Sequence, residues 1–167
     1  IGEPLCIWWL YSVLGRKKRV WSSARGPLKV MKEEIDALSL QMLGGQCVYA
    51  VAEIKISKNL DALMSAIRQL VRKSRLLEDP ANLRLLGFQN IKAPCRPREL
   101  AVVTLYRLGE AKERLRSELA EALRGEGIDA DACVYDIDDI LESLRGFPGE
   151  ERYRELFETI NRILEST

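Results

Sequence analysis

The sequence predicts an α/β fold in which a mixed central sheet is covered on both faces by helices. Three observations carry that prediction. Short β-rich runs alternate with amphipathic helical runs along the chain, which points to a sheet sandwiched between helices. Two of the β-rich runs are joined at Gly44-Gly45, a hairpin signal that makes the sheet mixed rather than purely parallel. The 167 residues, 47% hydrophobic and 31% charged, suit one well-filled domain and argue against disorder.

Taken in order, Pro4 at a first-turn position opens an apolar helix to about residue 14, with Gly15 closing it. Residues 20–24 read as a strand, followed by a turn at Gly26-Pro27. Residues 34–42 and 46–56 form the two arms of the hairpin. From residue 59 to 77 the period becomes helical: Leu60, Leu63, Met64, Ile67, Leu70, Val71 and Ser74 share a face, and Asn59 is placed as the N-cap. Residues 78–98 hold three prolines and read mostly as loop, with a short helix after Pro80. A buried-type strand at 99–106, an amphipathic helix at 109–124, a short strand at 132–135 and helices at 136–144 and 150–164 complete the chain. The organisation is one α/β domain over 1–145, with a helical extension over 146–167 packed on it.

The net charge of +1 (26 basic, 25 acidic residues) neither demands nor excludes a nucleic-acid partner, because charge can be locally concentrated. The apolar stretch from Leu5 to Leu14 is too short for a bilayer, and its basic run lies on the wrong side for a signal peptide. The expectation is therefore a cytoplasmic protein without a membrane partner. The chain opens at Ile1 rather than Met, which leaves room for residues upstream. Histidine is absent, so His-based catalysis is excluded, and Cys6, Cys47, Cys95 and Cys133 lack zinc-site spacing. Four scattered thiols are the expected state. An abundance of Arg, Glu and Leu over Asn and Gln gives a thermophile-like bias, in which setting an intracellular disulfide would not be out of place.

The residues that suggest chemistry lie on the hairpin. In a strand, positions two apart share a face, so Glu53 and Lys55 point the same way from an otherwise apolar run, Cys47-Val-Tyr-Ala-Val-Ala52. Burying such charge is costly unless it is paired or bound to a metal. A turn at Gly44-Gly45 pairs residues whose numbers sum to about 89, which puts Asp36 opposite Glu53. Two converging carboxylates repel unless a cation lies between them, and oxygen ligands of this kind select Mg²⁺ or Mn²⁺.

An Ile-Asp on one strand, a hairpin, then Glu53-Ile54-Lys55 and a following helix resembles the PD-(D/E)XK (restriction-endonuclease-like) nucleases, in particular their archaeal resolvase and Mrr-like branch. The family core, α-β-β-β-α-β, is similar to the order read over residues 2–106. The resemblance implies a restriction-endonuclease-like sheet and hydrolysis of DNA phosphodiester bonds. It implies Asp36, Glu53 and the Ile54 carbonyl as ligands of Mg²⁺ or Mn²⁺, and Lys55 as a catalytic residue. Glu3, near the start of the first helix with Gly15 a dozen residues on, and Gln69, on the helix after the motif, match accessory positions. The Pro of the motif is replaced by Ile35, and no Tyr follows Gln69 at the exonuclease spacing. Arg19, Arg25 and Lys29 are candidate phosphate contacts, with a solvated loop as the alternative. The apolar first helix and the C-terminal helices offer surfaces for a homodimer. A catalytically silent subunit of the same fold, serving binding or assembly, is the rival reading.

Overall fold

The computed structural model describes residues 2–89, 91 and 94–167. Its core is a four-stranded mixed sheet in the order β3-β4-β5-β6, formed by β3 (Ala37–Leu43), β4 (Gln46–Ile54), β5 (Arg96–Val103) and β6 (Asp131–Tyr135). β3 and β4 are antiparallel, whereas β4-β5 and β5-β6 are parallel. A separate two-stranded sheet joins β1 (Leu28–Val30) to β2 (Glu33–Ile35).

Strand alternation sends two sets of side chains to opposite faces. On one face Ala50, Ala52, Ile54, Ala101 and Val103 meet the N-terminal helical segment, α6 (Ile137–Ser143) and α7 (Glu150–Glu165). On the other, Tyr49, Val51, Leu100 and Val102 meet α3 (Leu60–Leu77) and α5 (Ala111–Gly125). The small residues of the first face let helices approach closely. Their bulk is supplied by the fully buried Trp9, Trp21 and Phe157. Asn161 of α7 donates to the Leu105 carbonyl at 2.9 Å, tying the C-terminal helix to the chain just past β5.

Several elements follow the pattern read from the sequence. Asn59 caps α3, its Oδ1 accepting from the Ala62 N–H at 3.1 Å, and Pro80 sits in the first turn of the short helix α4 (Pro80–Leu85). Gly44 and Gly45 both take positive φ at the hairpin turn. The hairpin register is the expected one: Ala37 pairs with Ala52 and Leu43 with Gln46, each pair summing to 89.

Others differ. The N-terminal helix is α-helical over α1 (Gly2–Trp9), π-wound over Leu10–Leu14, and α-helical again over α2 (Gly15–Lys17). Gly15 therefore does not close it. A Cβ there would lie 2.9 Å from the Ser22 Cα, so glycine permits a close crossing instead. Residues 20–24, expected as a strand, start inside a 3-10 turn over Arg19–Trp21. That turn buries Val20 and Trp21 together on the core side, which alternation along a strand would prevent. The first hairpin arm is split at Asp36 into β2 and β3, and β1 was not anticipated. The buried-type strand begins three residues earlier than expected, at Arg96.

The four expected thiols are two thiols and one bridge. Cys47, next to the start of β4, is joined to Cys95, just before β5, while Cys6 and Cys133 are free. The bridged residues neighbour one another because β4 and β5 run parallel in adjacent positions.

Candidate active site at the carboxyl end of β4

Open α/β sheets bind ligands beyond the carboxyl ends of their parallel strands. β4 ends there in Glu53-Ile54, and Lys55 continues the chain with its N–H bonded to the Val103 carbonyl at 2.9 Å. Asp36 occupies the bend between β2 and β3, one residue beyond the last ladder pair, Ala37–Ala52. Its carboxylate folds over the end of β4, where Oδ2 accepts the Ile54 N–H at 2.8 Å. Gly26 helps to hold this bend in place: a Cβ there would come within 1.9 Å of the Asp36 carbonyl oxygen.

Asp36 and Glu53 are both buried, at 8% and 6% exposure. Burial is the main reason that each titrates above its ordinary value. For Asp36 the Ile54 N–H and the Lys73 charge oppose the rise, while Glu3 and Glu34 add to it. For Glu53 the pKa reaches about 7; the Lys73 hydrogen bond opposes the rise, the Asp36 charge adds to it, and Lys55 pulls the other way.

The structure brings Asp36 together with Glu3 from α1 and Glu34 from β2, each offering an oxygen within 4.8 Å of the others. Glu53, expected opposite Asp36, is not a member of this triad. Its Oε2 accepts from Lys73 Nζ at 2.8 Å, and both side chains are almost fully buried. Lys55 is exposed, and Gln69 is half-buried one turn before Lys73 on α3.

Comparison with family models, with curated proteins and with solved structures finds no match. The site therefore rests on its own geometry.

Glu34 and Lys73 are functional candidates that the sequence reading passed over. Glu34 was signalled by alternation, since it lies two residues from Asp36. Lys73 lies on α3 three residues after Leu70 and four before Leu77, both fully buried, so a charge there must find a partner. Of the candidate phosphate contacts, Arg19 and Lys29 are exposed. Arg25 is engaged: its guanidinium lies 4.2 Å from the Phe88 ring centroid and donates to the Leu86 carbonyl at 3.1 Å.

A second buried polar group lies on the opposite face of the sheet. Glu99 of β5 accepts from Lys18 at 2.9 Å, from Trp21 Nε1 at 2.7 Å and from the Tyr135 hydroxyl at 2.7 Å. With three donors satisfied, this carboxylate acts as a clamp between the N-terminal segment and the sheet.

The donor set suits a hard divalent cation. The exposed Glu3 and Glu34 and the buried Asp36 offer three oxygens within reach of one ion, while Glu53 lies outside this set with its charge met by Lys73. Among the described residues, no helix is long and apolar enough to cross a membrane.

Proposed function

We propose that this chain is a metal-dependent nuclease of the PD-(D/E)XK type, hydrolysing DNA phosphodiester bonds. The observation that carries the reading is that Asp36 and Glu53 both lie buried at the carboxyl end of β4, near enough for the Asp36 charge to help raise the Glu53 pKa. The sheet order supports a restriction-endonuclease-like core: an antiparallel hairpin, a helix, then a strand parallel to the second hairpin arm. Asp36, Glu53 and the Ile54 carbonyl would hold Mg²⁺ or Mn²⁺, with Glu3 and Glu34 beside them. Bound there, the ion supplies Lewis-acid stabilisation and a more acidic water.

The chain's own residues have distinct tasks in this scheme. The Ile54 N–H fixes one oxygen of Asp36, leaving the other for a ligand. Lys73 fixes Glu53 Oε2 in the same way. Lys55 projects into solvent at the mouth of the site, where an ammonium can meet a phosphate or orient a water. Gln69 would be accessory, half-buried on α3 one turn before Lys73.

A specific observation favours the rival reading of a catalytically silent subunit. The Lys73 ammonium already compensates Glu53, the service a metal would otherwise provide. Incubation of plasmid, linear and branched DNA with Mg²⁺ or Mn²⁺, comparing wild type with Asp36→Ala, separates the two. Metal-dependent cleavage that disappears in the variant supports the nuclease. Cleavage surviving the substitution removes this site from consideration, and no cleavage of any substrate favours the silent subunit.

A further inference from the structure

The β1-β2 hairpin turns in two residues, Met31-Lys32, between the paired Val30 and Glu33. Both turn residues have positive φ, 48° and 71°, and they are the only non-glycine residues among those described that do. Two-residue hairpin turns with positive φ at both centres favour Asn-Gly, since a side chain of Met or Lys is disfavoured in this conformation. Met31 is also 66% exposed. A costly backbone at a solvent-exposed tip points to a role for the side chains it presents.

The base of this hairpin is rigid. Val30 and Ile35 are buried in the core beside α3, and Glu33 is paired with Arg72 of α3 at 3.2 Å. The tip is cationic and apolar: Lys32 stands beside Met31, and Lys29 is exposed on β1, directly across from Glu34. Among the described residues, neither lysine forms an ion pair with a carboxylate. Glu34 and Asp36 lie on the same short stretch of chain, so Met31, five residues before Asp36, stands at most about 16 Å from it at roughly 3.3 Å per residue.

We propose that this hairpin is a DNA wedge: Met31 inserts at a weakened base step while Lys29 and Lys32 contact the flanking phosphates. An apolar side chain unstacks a step by filling the gap it opens, and methionine is among the residues used in this way. At 3.4 Å per nucleotide along a strand, a reach of at most about 16 Å places the opened step within about five nucleotides of the phosphate at Asp36. The ligand is taken from the nuclease reading above, but unstacking needs no cleavage and is measured without metal.

The test uses forked DNA carrying 2-aminopurine at the junction, in EDTA, with the full chain. Wild type is expected to brighten the probe on binding. Met31→Ser, which keeps both lysines, should retain most of the affinity while losing most of the brightening. Met31→Asn/Lys32→Gly should also lose it, yet melt about 2–4 °C higher because the turn is relieved. Lys29→Gln should lower the salt slope of binding by about one, without abolishing the brightening. Brightening by Met31→Ser equal to wild type overturns the wedge, whether or not DNA is cleaved. Met31-dependent brightening without any cleavage leaves the wedge standing and removes the nuclease. Failure to bind forked DNA overturns both.

Discussion

Replacing Glu53 with Gln should remove a pH-dependent instability from the metal-free protein. Burial raises the Glu53 pKa from an ordinary 4.5 to about 7. The folded chain therefore holds this proton more tightly than the unfolded chain does. Its contribution to stability is complete below pH 4.5 and lost as the pH rises through about 7. At about 1.4 kcal/mol per pH unit, the loss amounts to about 3 kcal/mol. For a chain of this size that corresponds to a melting temperature lower by roughly 6–12 °C. The assay is thermal unfolding by circular dichroism in EDTA, from pH 4.5 to 8, for wild type and Glu53→Gln. The difference between the two curves should change by about that amount across this range. Added Mn²⁺ should recover stability in wild type above pH 7, where the carboxylate is ionised. Parallel curves across the whole range would refute the reasoning.

Other expectations follow from individual contacts. Lys73→Met leaves a buried carboxylate without its partner, and should cost about 3–5 kcal/mol at pH 8 in urea unfolding. At pH 5, where Glu53 is protonated, the loss should be smaller. Reducing the Cys47–Cys95 bridge frees a loop spanning 48 positions, and the chain-entropy relation gives a loss of about 4 kcal/mol, read as a lower urea midpoint in reductant. Glu99→Ala takes the acceptor from the buried Trp21 N–H and from the Tyr135 hydroxyl, while Lys18 keeps its bond to the Tyr135 oxygen, and should cost about 2–3 kcal/mol in the same assay, independently of bound metal. Gly26→Ala should displace the Asp36 bend and weaken Mn²⁺ binding in calorimetry, since its Cβ has no room beside the Asp36 carbonyl.

The central part of the fold was legible because its signals are local. Gly44-Gly45 fixes a tight turn, a tight turn fixes the register, and the register carries Asp36 to the end of β4. What the register could not convey is the bend at Asp36, which turns its carboxylate onto the Ile54 N–H instead of leaving it in the ladder. Lys73 escaped notice because the apolar stripe of α3 was traced through Leu70, Val71 and Ser74, and a lysine at the stripe's edge reads as solvated. Only the tertiary approach of α3 to β4 reveals its partner. The same holds for Glu99: its three donors come from positions 18, 21 and 135. Residues 20–24 read as a strand from the sequence, whereas a 3-10 turn is what carries the Trp21 indole N–H to Glu99. The pairing of Cys47 with Cys95 depends on β4 and β5 lying side by side, which spacing alone does not encode.

The two carboxylate groupings at this site make different demands, and cleavage rates tell them apart. Glu3, Glu34 and Asp36 form the tight triad, whereas Glu53, next to last in β4, is held by Lys73 from α3. In the nuclease reading Glu53 is a ligand and Glu34 an outer neighbour. The most direct measurement is the Mg²⁺-dependent cleavage rate of branched and linear DNA for wild type, Glu53→Gln and Glu34→Gln at pH 8. Loss of an outer neighbour typically costs about 10–100-fold, so Glu34→Gln should fall within that range and Glu53→Gln beyond it. Cleavage by Glu53→Gln at the wild-type rate would contradict the proposed site.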